Sequence, residues 1–267
     1  MNVPQEALTF DDVLLVPKYS DIEHRATVDI GNVLGNIRCE IPIISSPMDT
    51  VTEGTMAHQM SVFGGLGIIH RRCTIEKQCS MVQQQDFMSD VRAGPNRHHI
   101  NGAAIGTTGD YLERAIALLD SGAKVICVDV AHGDHILVKK ALSMLNALHN
   151  RSDFHLMAGN VANGDAFVRL AQWGADSIRV GIGGGSICST RLNTGFGVPN
   201  LSAILDCEMK WNEYADKWYL TAGMICRPKK PTLIIDGGIR NAGDIVKALA
   251  AGADFVMCGS LLAGTSQ

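Results

Sequence analysis

Eight short apolar segments recur along the chain, and they constrain its fold more than any other feature. Each is apolar throughout instead of alternating, which is typical of strands buried on both faces of a parallel sheet. Most are followed by polar or glycine-rich residues and then by an amphipathic stretch. The segments are Ile41–Ser45, Leu66–His70, Asn101–Gly106, Val125–Ala131, His155–Val161, Ser177–Ile182, Thr232–Asp236 and Phe255–Gly259.

The junction that leads into a segment is nearly copied at three places, Leu119–Lys124, Leu170–Asp176 and Leu249–Asp254. Each runs from a helix end through a glycine, which readily adopts a positive φ, into the next apolar segment. A glycine in one such loop is ordinary, but three similar copies favour a repeated βα architecture. Eight βα units predict an α/β fold of the (β/α)8 TIM barrel class, and a doubly wound open sheet is the alternative.

The predicted barrel occupies the whole chain, 1–267, as a single catalytic-type domain. We expect the first forty residues to close the bottom of the barrel, and we expect the barrel to be truncated just after its eighth strand. The stretch Pro199–Pro231 interrupts the pattern. There we predict a helix at Leu201–Trp211 and then an irregular excursion, whose tryptophan and tyrosine residues either cover a surface or pack as an ordinary helix and loop.

Composition excludes several classes of protein. A chain of 267 residues with 46% hydrophobic and 19% charged residues is not disordered. The net charge of −4 argues against a dedicated nucleic-acid binder, and no apolar run reaches the roughly 18 residues of a membrane helix. The start lacks the basic and apolar regions of a signal peptide. Eight cysteines without a Cys-x-x-Cys pair predict a reduced, cytoplasmic protein with no structural zinc.

The glycine-rich stretch Val180–Arg191 follows the sixth predicted strand, at the end where barrel enzymes build their active sites. Its glycines free backbone amides to approach an anion, and Ser186 adds a hydroxyl donor. Cys188 lies outside any apolar run and near Arg191, a cation that favours a thiolate, so it is a candidate nucleophile. The residues alone leave open that the glycines form a simple turn and that the thiol is a bystander.

The next two predicted strands also end in glycine. Asp236-Gly237-Gly238 ends the seventh strand, and Gly259-Ser260 follows the eighth. Barrel enzymes often bind phosphate between these two loops, and an aspartate there is suited to accept hydrogen bonds from sugar hydroxyls. The alternative is a pair of turns with Asp236 as a helix cap. Because both loops carry the feature, we predict a phosphate site.

Polar residues end four further predicted strands, at Ser45–Asp49, His70-Arg71, Asp129–Gly133 and Gly159-Asn160. Polar residues that converge on one face of a barrel are typical of a functional pocket. Each of them alone is equally typical of a helix cap or an ion pair.

Several stretches together resemble the inosine-monophosphate dehydrogenase and guanosine-monophosphate reductase family. The resemblance covers nearly the whole chain. It implies a barrel, a purine nucleoside monophosphate as substrate, and NADPH or NAD as cofactor. The matching stretches are Leu8–Leu15, Ser46–Val51, Gly64–His70, Gly183–Thr190, Asp236–Arg240 and Gly259–Thr265.

The resemblance also implies residue roles. Cys188 occupies the position of the cysteine that attacks the purine C2, and Thr190 that of a threonine assisting at the leaving group or water. The implied substrate-binding residues are Ser46, Met48, Ser186, Asp236, Gly237, Gly238, Gly259 and Ser260. On the cofactor side lie Asp129, Asn160 and Gly181. In the dehydrogenases, carbonyls of this loop coordinate potassium, and the matching residues are Gly183, Gly185 and Cys188.

The direction of the reaction is less sharply marked. Between Arg72 and Ile100 the chain lacks the regulatory CBS-pair domain that dehydrogenases usually carry, and Thr194–Gly197 and Leu201–Glu208 resemble reductases. Against that, Ser46–Glu53 resembles dehydrogenases. We predict a GMP reductase that converts GMP to IMP with NADPH through a cysteine-linked purine. The alternative is an IMP dehydrogenase that converts IMP to XMP with NAD.

Family members continue past the eighth strand with a mobile flap and, in reductases, a catalytic glutamate, and these stretches are not in this sequence. Two expectations follow from the resemblance. Either a second chain completes the site, or the protein is a nucleotide-binding relative that is inactive without the missing part. The family also implies a homo-oligomer, most simply a homotetramer.

Overall fold

The computed structural model describes residues 6–87, 100–186, 188–222 and 226–265. A short antiparallel hairpin of β1 (Asn32–Leu34) and β2 (Ile37–Cys39) comes first. Eight parallel strands then close into a barrel in chain order, with the last paired to the first. They are β3 (Ile43–Ser45), β4 (Leu66–Ile69), β5 (Asn101–Ile105), β6 (Val125–Asp129), β7 (His155–Val161), β8 (Ser177–Val180), β9 (Thr232–Asp236) and β10 (Phe255–Cys258). This confirms the (β/α)8 barrel and excludes the open sheet.

Helices fill the connections between the strands. The helices of the described residues are α1 (Gly54–Val62), α2 (Ile75–Phe87), α3 (Tyr111–Asp120), α4 (Ile136–Asn146), α5 (Gly164–Gln172), α6 (Thr190–Thr194), α7 (Asn200–Ala222) and α8 (Ala242–Ala250). The three repeated junctions contain Gly122, Gly174 and Gly252, whose φ angles are 102°, 90° and 117°. These left-handed values explain why glycine ends the preceding helix each time.

The long helix α7 differs from the prediction. It continues through Trp211 to Ala222, so the expected irregular excursion after Trp211 is wrong. The helix persists because its buried face persists: Ala215 is buried, and the Trp211 ring packs against Tyr214 at 5.3 Å and edge-on against Phe167 of α5 at 6.4 Å. The aromatic cluster thus belongs mainly to ordinary helix packing.

Two apolar layers hold the barrel. The larger one lies between the strands and the surrounding helices. The smaller one fills the barrel interior and includes Ile44, Phe255 and Met257 together with Leu34 and Cys39 of the hairpin. The hairpin therefore closes the bottom of the barrel, as predicted. In the described part of the chain, no helix is long and apolar enough to cross a membrane.

Candidate active site

Three loops meet at the carboxyl end of the barrel, and we call them the glycine rim: Gly183–Ser186, Gly237-Gly238 and Gly259-Ser260. The Ser186 hydroxyl donates to Oγ of Ser260 at 2.9 Å. A Cβ atom on Gly237 would lie 2.8 Å from the backbone nitrogen of Gly185, and the φ of Gly237 is 84°. Only glycine permits this approach and this backbone conformation. The loops predicted to bind phosphate are therefore brought together.

The loop after β3 borders the same rim. A Cβ atom on Gly259 would lie 3.3 Å from Sδ of Met48 and 3.5 Å from Oγ of Ser46. Asp236 is the last residue of β9, directly before the rim glycines. All the predicted substrate-binding residues therefore lie at one end of the barrel, although they come from four separate parts of the sequence.

The backbone amides of the glycine rim differ in whether they already donate a hydrogen bond within the fold. The amide of Gly237 donates to the carbonyl of Met257 at 3.3 Å, so it is already used within the fold. For the amides of Gly238, Gly259 and Ser260, no backbone hydrogen bond is described within the residues that the structure covers. These three amides remain donors for an anion.

Cys188 is exposed, and its thiol donates to Oγ1 of Thr190, the first residue of α6, at 3.3 Å. The two residues with implied catalytic roles are thus in direct contact. By contrast, Cys258 at the end of β10 is buried, and burial raises the pKa of its thiol to about 12. An accessible sulfur beside a hydroxyl is suited to nucleophilic attack, whereas a buried thiol is inert.

Arg191 was expected to favour a thiolate at Cys188, but its guanidinium binds backbone carbonyls instead. Its guanidinium donates to the carbonyl of Ile182 at 3.0 Å and to that of Val198 at 2.7 Å. These contacts tie together the two ends of the loop that carries Cys188. Arg191 therefore shapes the loop, a role that the sequence did not suggest.

Asn200, the first residue of α7, is a second residue that the sequence analysis missed. It is buried, and its side-chain amide donates to the carbonyl of Gly237 at 2.7 Å. A Cβ atom on Gly184 would lie 2.6 Å from its Nδ2. Asn200 therefore holds two loops of the glycine rim against each other.

A buried charge network lies beneath the rim, centred on Arg179 of β8. One guanidinium nitrogen contacts Oδ1 of Asp129 at 2.6 Å, and another contacts Oδ2 of Asp236 at 2.7 Å. The side-chain amide of Asn160 donates to the same Asp236 oxygen at 2.7 Å and to the carbonyl of Gly181 at 2.8 Å. The network joins the predicted cofactor-side residues to the predicted ribose-binding aspartate.

The electrostatics of this network follow from its burial. Burial alone would lower the pKa of Arg179, but the carboxylates of Asp236 and Asp129 outweigh it and hold that pKa well above its usual value. The sequence analysis missed Arg179. The available signal was a charged residue inside the short strand Ser177–Val180, since a charge on a doubly buried strand needs a partner.

Two buried atoms of the network have no hydrogen-bond partner among the residues that the structure describes. Nε of Arg179 and Oδ1 of Asn160 are buried and lack a hydrogen bond to any described residue. Buried polar atoms without partners are rare in folded proteins, and a polar ligand is one way to satisfy them. The network therefore offers one donor and one acceptor to a bound molecule.

Potassium binding by the loop carbonyls stays a prediction. The carbonyl of Gly185 accepts a hydrogen bond from the amide of Cys188 at 3.0 Å, which forms a tight turn at this point. Carbonyl oxygens are suitable ligands for a hard cation. Among the described residues there is no cluster of three or more His, Cys, Asp or Glu side chains that would hold a metal ion.

Comparison with known proteins identifies the family. The sequence model of a protein family, described as the IMP dehydrogenase / GMP reductase domain, matches residues 7–267. The chain is 36% identical over 296 residues to an inosine-5'-monophosphate dehydrogenase of Cryptosporidium parvum, which covers 98% of this chain and 69% of that protein. An inosine-5'-monophosphate dehydrogenase of Nitrosopumilus maritimus is 32% identical over 380 residues, with coverage of 98% and 76%.

A relative named for the other activity has the same identity to this chain as the Nitrosopumilus maritimus protein. A GMP reductase of Leishmania donovani is 32% identical over 390 residues, which covers 98% of this chain and 76% of the relative. Similarity to both kinds of protein identifies the family and leaves the direction of the reaction open. The closed barrel, the matching domain model and these relatives agree that the chain belongs to the IMP dehydrogenase / GMP reductase family of oxidoreductases.

Proposed function

We propose that this protein is a purine-nucleotide oxidoreductase that acts on a nucleoside monophosphate, with GMP reduction to IMP as its reaction. The observation that carries the proposal is the contact between the exposed thiol of Cys188 and Thr190, which follow the Gly183–Ser186 loop of the glycine rim in sequence. A nucleophile and an anion-binding loop on one short segment are what a covalent reaction on a phosphate-anchored base requires.

In the proposed reaction the Cys188 sulfur attacks C2 of the purine. A bond from sulfur to C2 forms as the thiol gives up its proton. The bond from C2 to the exocyclic nitrogen then breaks, and that nitrogen takes up the proton and leaves as ammonia. Hydride then enters at C2, the bond to sulfur breaks, and the thiolate is restored. Thr190 is placed to hold a proton at Oγ1 beside the sulfur while these bonds change.

Substrate binding is assigned to the rim and to the network beneath it. The amides of Gly238, Gly259 and Ser260 are the proposed phosphate donors. Asp236 is proposed to accept from ribose hydroxyls, since its carboxylate is held in place by Arg179 and Asn160. Binding the phosphate and ribose firmly would orient the purine towards Cys188.

The nicotinamide cofactor is proposed to bind on the other side of the network. Among the described residues, the buried Oδ1 of Asn160 and the buried Nε of Arg179 have no hydrogen-bond partner, which supports a polar ligand there. Together with Asp129 and the backbone of Gly181, these groups would hold the carboxamide and sugar of NADPH or NAD. When bound, the cofactor supplies or accepts the hydride, while the protein supplies alignment.

The reductase direction is preferred on the resemblance and on the chain's layout. Residues 88–100 are all that separate α2 from β5, which is far fewer than a separate domain of about 50 residues or more needs. We therefore propose a single barrel domain without an inserted CBS pair. IMP dehydrogenase activity, IMP to XMP with NAD, is the second candidate because the relatives include such enzymes.

An absorbance assay at the reduced-nicotinamide band tests the proposal. Loss of absorbance with GMP and NADPH supports the reductase, and a gain with IMP and NAD supports the dehydrogenase. Binding of GMP without turnover in either mixture would make the protein a nucleotide-binding relative, or one that needs a second chain. No binding of either nucleotide would contradict the whole proposal.

The phosphate site has its own test. GMP should bind more tightly than guanosine by about a hundredfold or more, since two or three charge-assisted hydrogen bonds of about 1.5–3 kcal/mol each distinguish them. Gly237→Ala should erase most of this preference because its Cβ would enter the rim. Gly109→Ala is the matched control, with φ of 65° and nothing within 4 Å of the added Cβ. Equal affinities in calorimetry would exclude the phosphate site.

We also propose that the protein forms a homotetramer. The N-terminal segment leaves Leu14, Val16 and Tyr19 between 83% and 93% exposed. Apolar side chains exposed on one segment favour coverage by a symmetric partner. Sedimentation velocity at micromolar concentration tests this, and a clean monomer would contradict it.

A further inference from the structure

A second cavity opens at the opposite end of the barrel from the glycine rim. Its volume is about 420 Å³, within the range of about 300–1,000 Å³ that is typical of small-molecule sites. It lies between the turn of the β1–β2 hairpin, the loop before β7, the loop before β9 and the aromatic part of α7. None of the residues with proposed roles in the reaction lines it.

The cavity is lined by polar groups that the fold does not use. Trp211 is only 5% exposed and lines the cavity, yet no hydrogen bond of its indole N–H is described in residues 6–87, 100–186, 188–222 or 226–265. The same holds, over those residues, for the side chains of Tyr214 and Gln172, which also line it. The indole N–H is therefore a donor that a molecule in the cavity can use.

The charges of the lining point to an anion. Arg151 is neutralised by Asp176 at 2.7 Å, and Lys230 is paired with Glu208. Lys229 lines the cavity as well, and within the described residues it has no ion pair or hydrogen bond. Its ammonium is therefore the uncompensated charge of this cavity.

Aromatic surface accompanies the charge. The rings of Trp211 and Tyr214 lie 5.3 Å apart between centroids and are tilted by 48°, and both residues line the cavity. Phe154 lines it too, with the Arg151 guanidinium 5.1 Å from its ring centroid. A flat ring can pack on such walls while an attached anion reaches Lys229.

From the cavity, the donors of its lining and the ammonium of Lys229 we infer a ligand site at the bottom of the barrel for a small aromatic anion. The ligand class is a planar ring bearing one carboxylate or phosphate group. Its ring packs against Trp211 and Tyr214, its acceptor atoms receive the indole N–H, and its charge pairs with Lys229. This site does not depend on the proposed reaction at the other end of the barrel.

Calorimetric titration of the full chain with two probes, 1-naphthyl phosphate and 1-naphthoate, tests the inference. We expect one probe molecule to bind per chain, and the tighter of the two identifies the preferred anion. Lys229→Met should weaken binding about tenfold or more, the effect of losing one charge-assisted contact. Lys124→Met is the matched control, because Lys124 is exposed at the same end of the barrel and does not line the cavity. Tyr214→Phe should weaken binding by a smaller factor.

Further titrations separate this site from its alternatives. Saturating GMP should leave probe binding unchanged, whereas displacement by GMP would assign the probe to the glycine rim. Inorganic phosphate and 1-naphthol should bind at least tenfold more weakly than the better probe. The inference is overturned if either of them binds as tightly, if Lys124→Met weakens binding as much as Lys229→Met, or if neither probe binds at millimolar concentration.

Discussion

The two ends of the barrel are built from the same strands and differ in what those strands place inside. Strand β6 contributes Cys127 to the apolar interior and then ends at Asp129. Strand β9 likewise places Ile234 inside and ends at Asp236. At the lower end the interior is filled by side chains such as Phe255, which has no exposed surface.

Because of this difference, we expect the lower end of the barrel to supply stability and the upper end to supply the catalytic groups. The apolar side chains that fill the barrel interior at the lower end, which we call the lower layer, are closely packed and supply hydrophobic stabilisation. Above them, in what we call the upper layer, Arg179 is buried between two carboxylates, an arrangement that adds little net stability but holds Asp129 and Asp236 in place. Substitutions at the rim should therefore change activity, and substitutions in the lower layer should change stability.

Cys188→Ala should show the largest effect and only on activity. We expect turnover to fall by about ten-thousandfold or more, since the covalent route is lost, while GMP affinity stays within about tenfold. Cys226→Ala is the control, because Cys226 is also an exposed thiol. Steady-state rates and calorimetry give the two values. Complete loss of GMP binding by a folded Cys188→Ala protein would contradict the assignment.

Arg179→Leu tests the charge network and should destabilise the protein by about 3–5 kcal/mol, because Asp129 and Asp236 would remain as partly buried charges without their shared cation. Urea denaturation of the native protein and the variant at neutral pH measures this loss.

The matched control for that substitution is Arg38→Leu. Arg38 pairs with Asp29 at the surface, and both side chains are largely solvated. An exposed pair contributes about 0–1 kcal/mol, so this substitution should change the free energy of unfolding very little. Equal losses for Arg38→Leu and Arg179→Leu would mean that the buried network has no special role.

Phe255→Ala tests the lower layer. Phe255 is fully buried inside the barrel, and its truncation should cost about 3–5 kcal/mol through lost burial and a residual cavity. Activity per folded molecule should change little, unlike in Cys188→Ala. The control is Phe196→Ala, since Phe196 is 76% exposed and its truncation should stay within about 0.5 kcal/mol. A stable but inactive Phe255→Ala protein would break the division between the two ends.

Local patterns were enough to predict the strands and the rim. The apolar segments and the glycines at 122, 174 and 252 depend on neighbouring residues, so they are readable from sequence. The positions of the rim loops could also be predicted, because parallel strands bring their carboxyl ends to one end of the barrel. The domain limits and the roles of the site residues stay predictions.

The features that the sequence analysis missed depend on residues that are far away in the sequence. Arg179 acquires its role only from Asp129 and Asp236, which lie 50 and 57 residues away in sequence. The continuation of α7 depends on the face that it buries against α5. In the sequence of α7 this apolar face is obscured by many charged residues. Asn200 is informative only once the loops that it joins are adjacent.

His155, the first residue of β7, is a buried titratable group at the lower end of the barrel, and its effect on stability should be the smallest of those considered. Burial lowers the pKa of His155 to about 4, opposed by Asp176 and assisted by Arg151 and Lys229. As the pH falls from about 6.5 towards 4, the unfolded chain binds a proton that the folded protein does not. Stability should therefore decrease on acidification, by at most about 1.4 kcal/mol per pH unit from this group.

His155→Gln removes this titration and retains a polar group to meet Oγ of Ser177, which contacts the imidazole Nε2 at 2.8 Å. The variant should be less stable than the native protein at neutral pH, because it lacks the imidazole packing, but the difference should narrow as the pH approaches 5. His132→Gln, at an exposed histidine, should leave the slope unchanged. Urea denaturation at several pH values measures each slope. Parallel stability curves for the native protein and His155→Gln would mean that His155 takes up its proton in the folded state, and that the lower end of the barrel is less dry than its packing indicates.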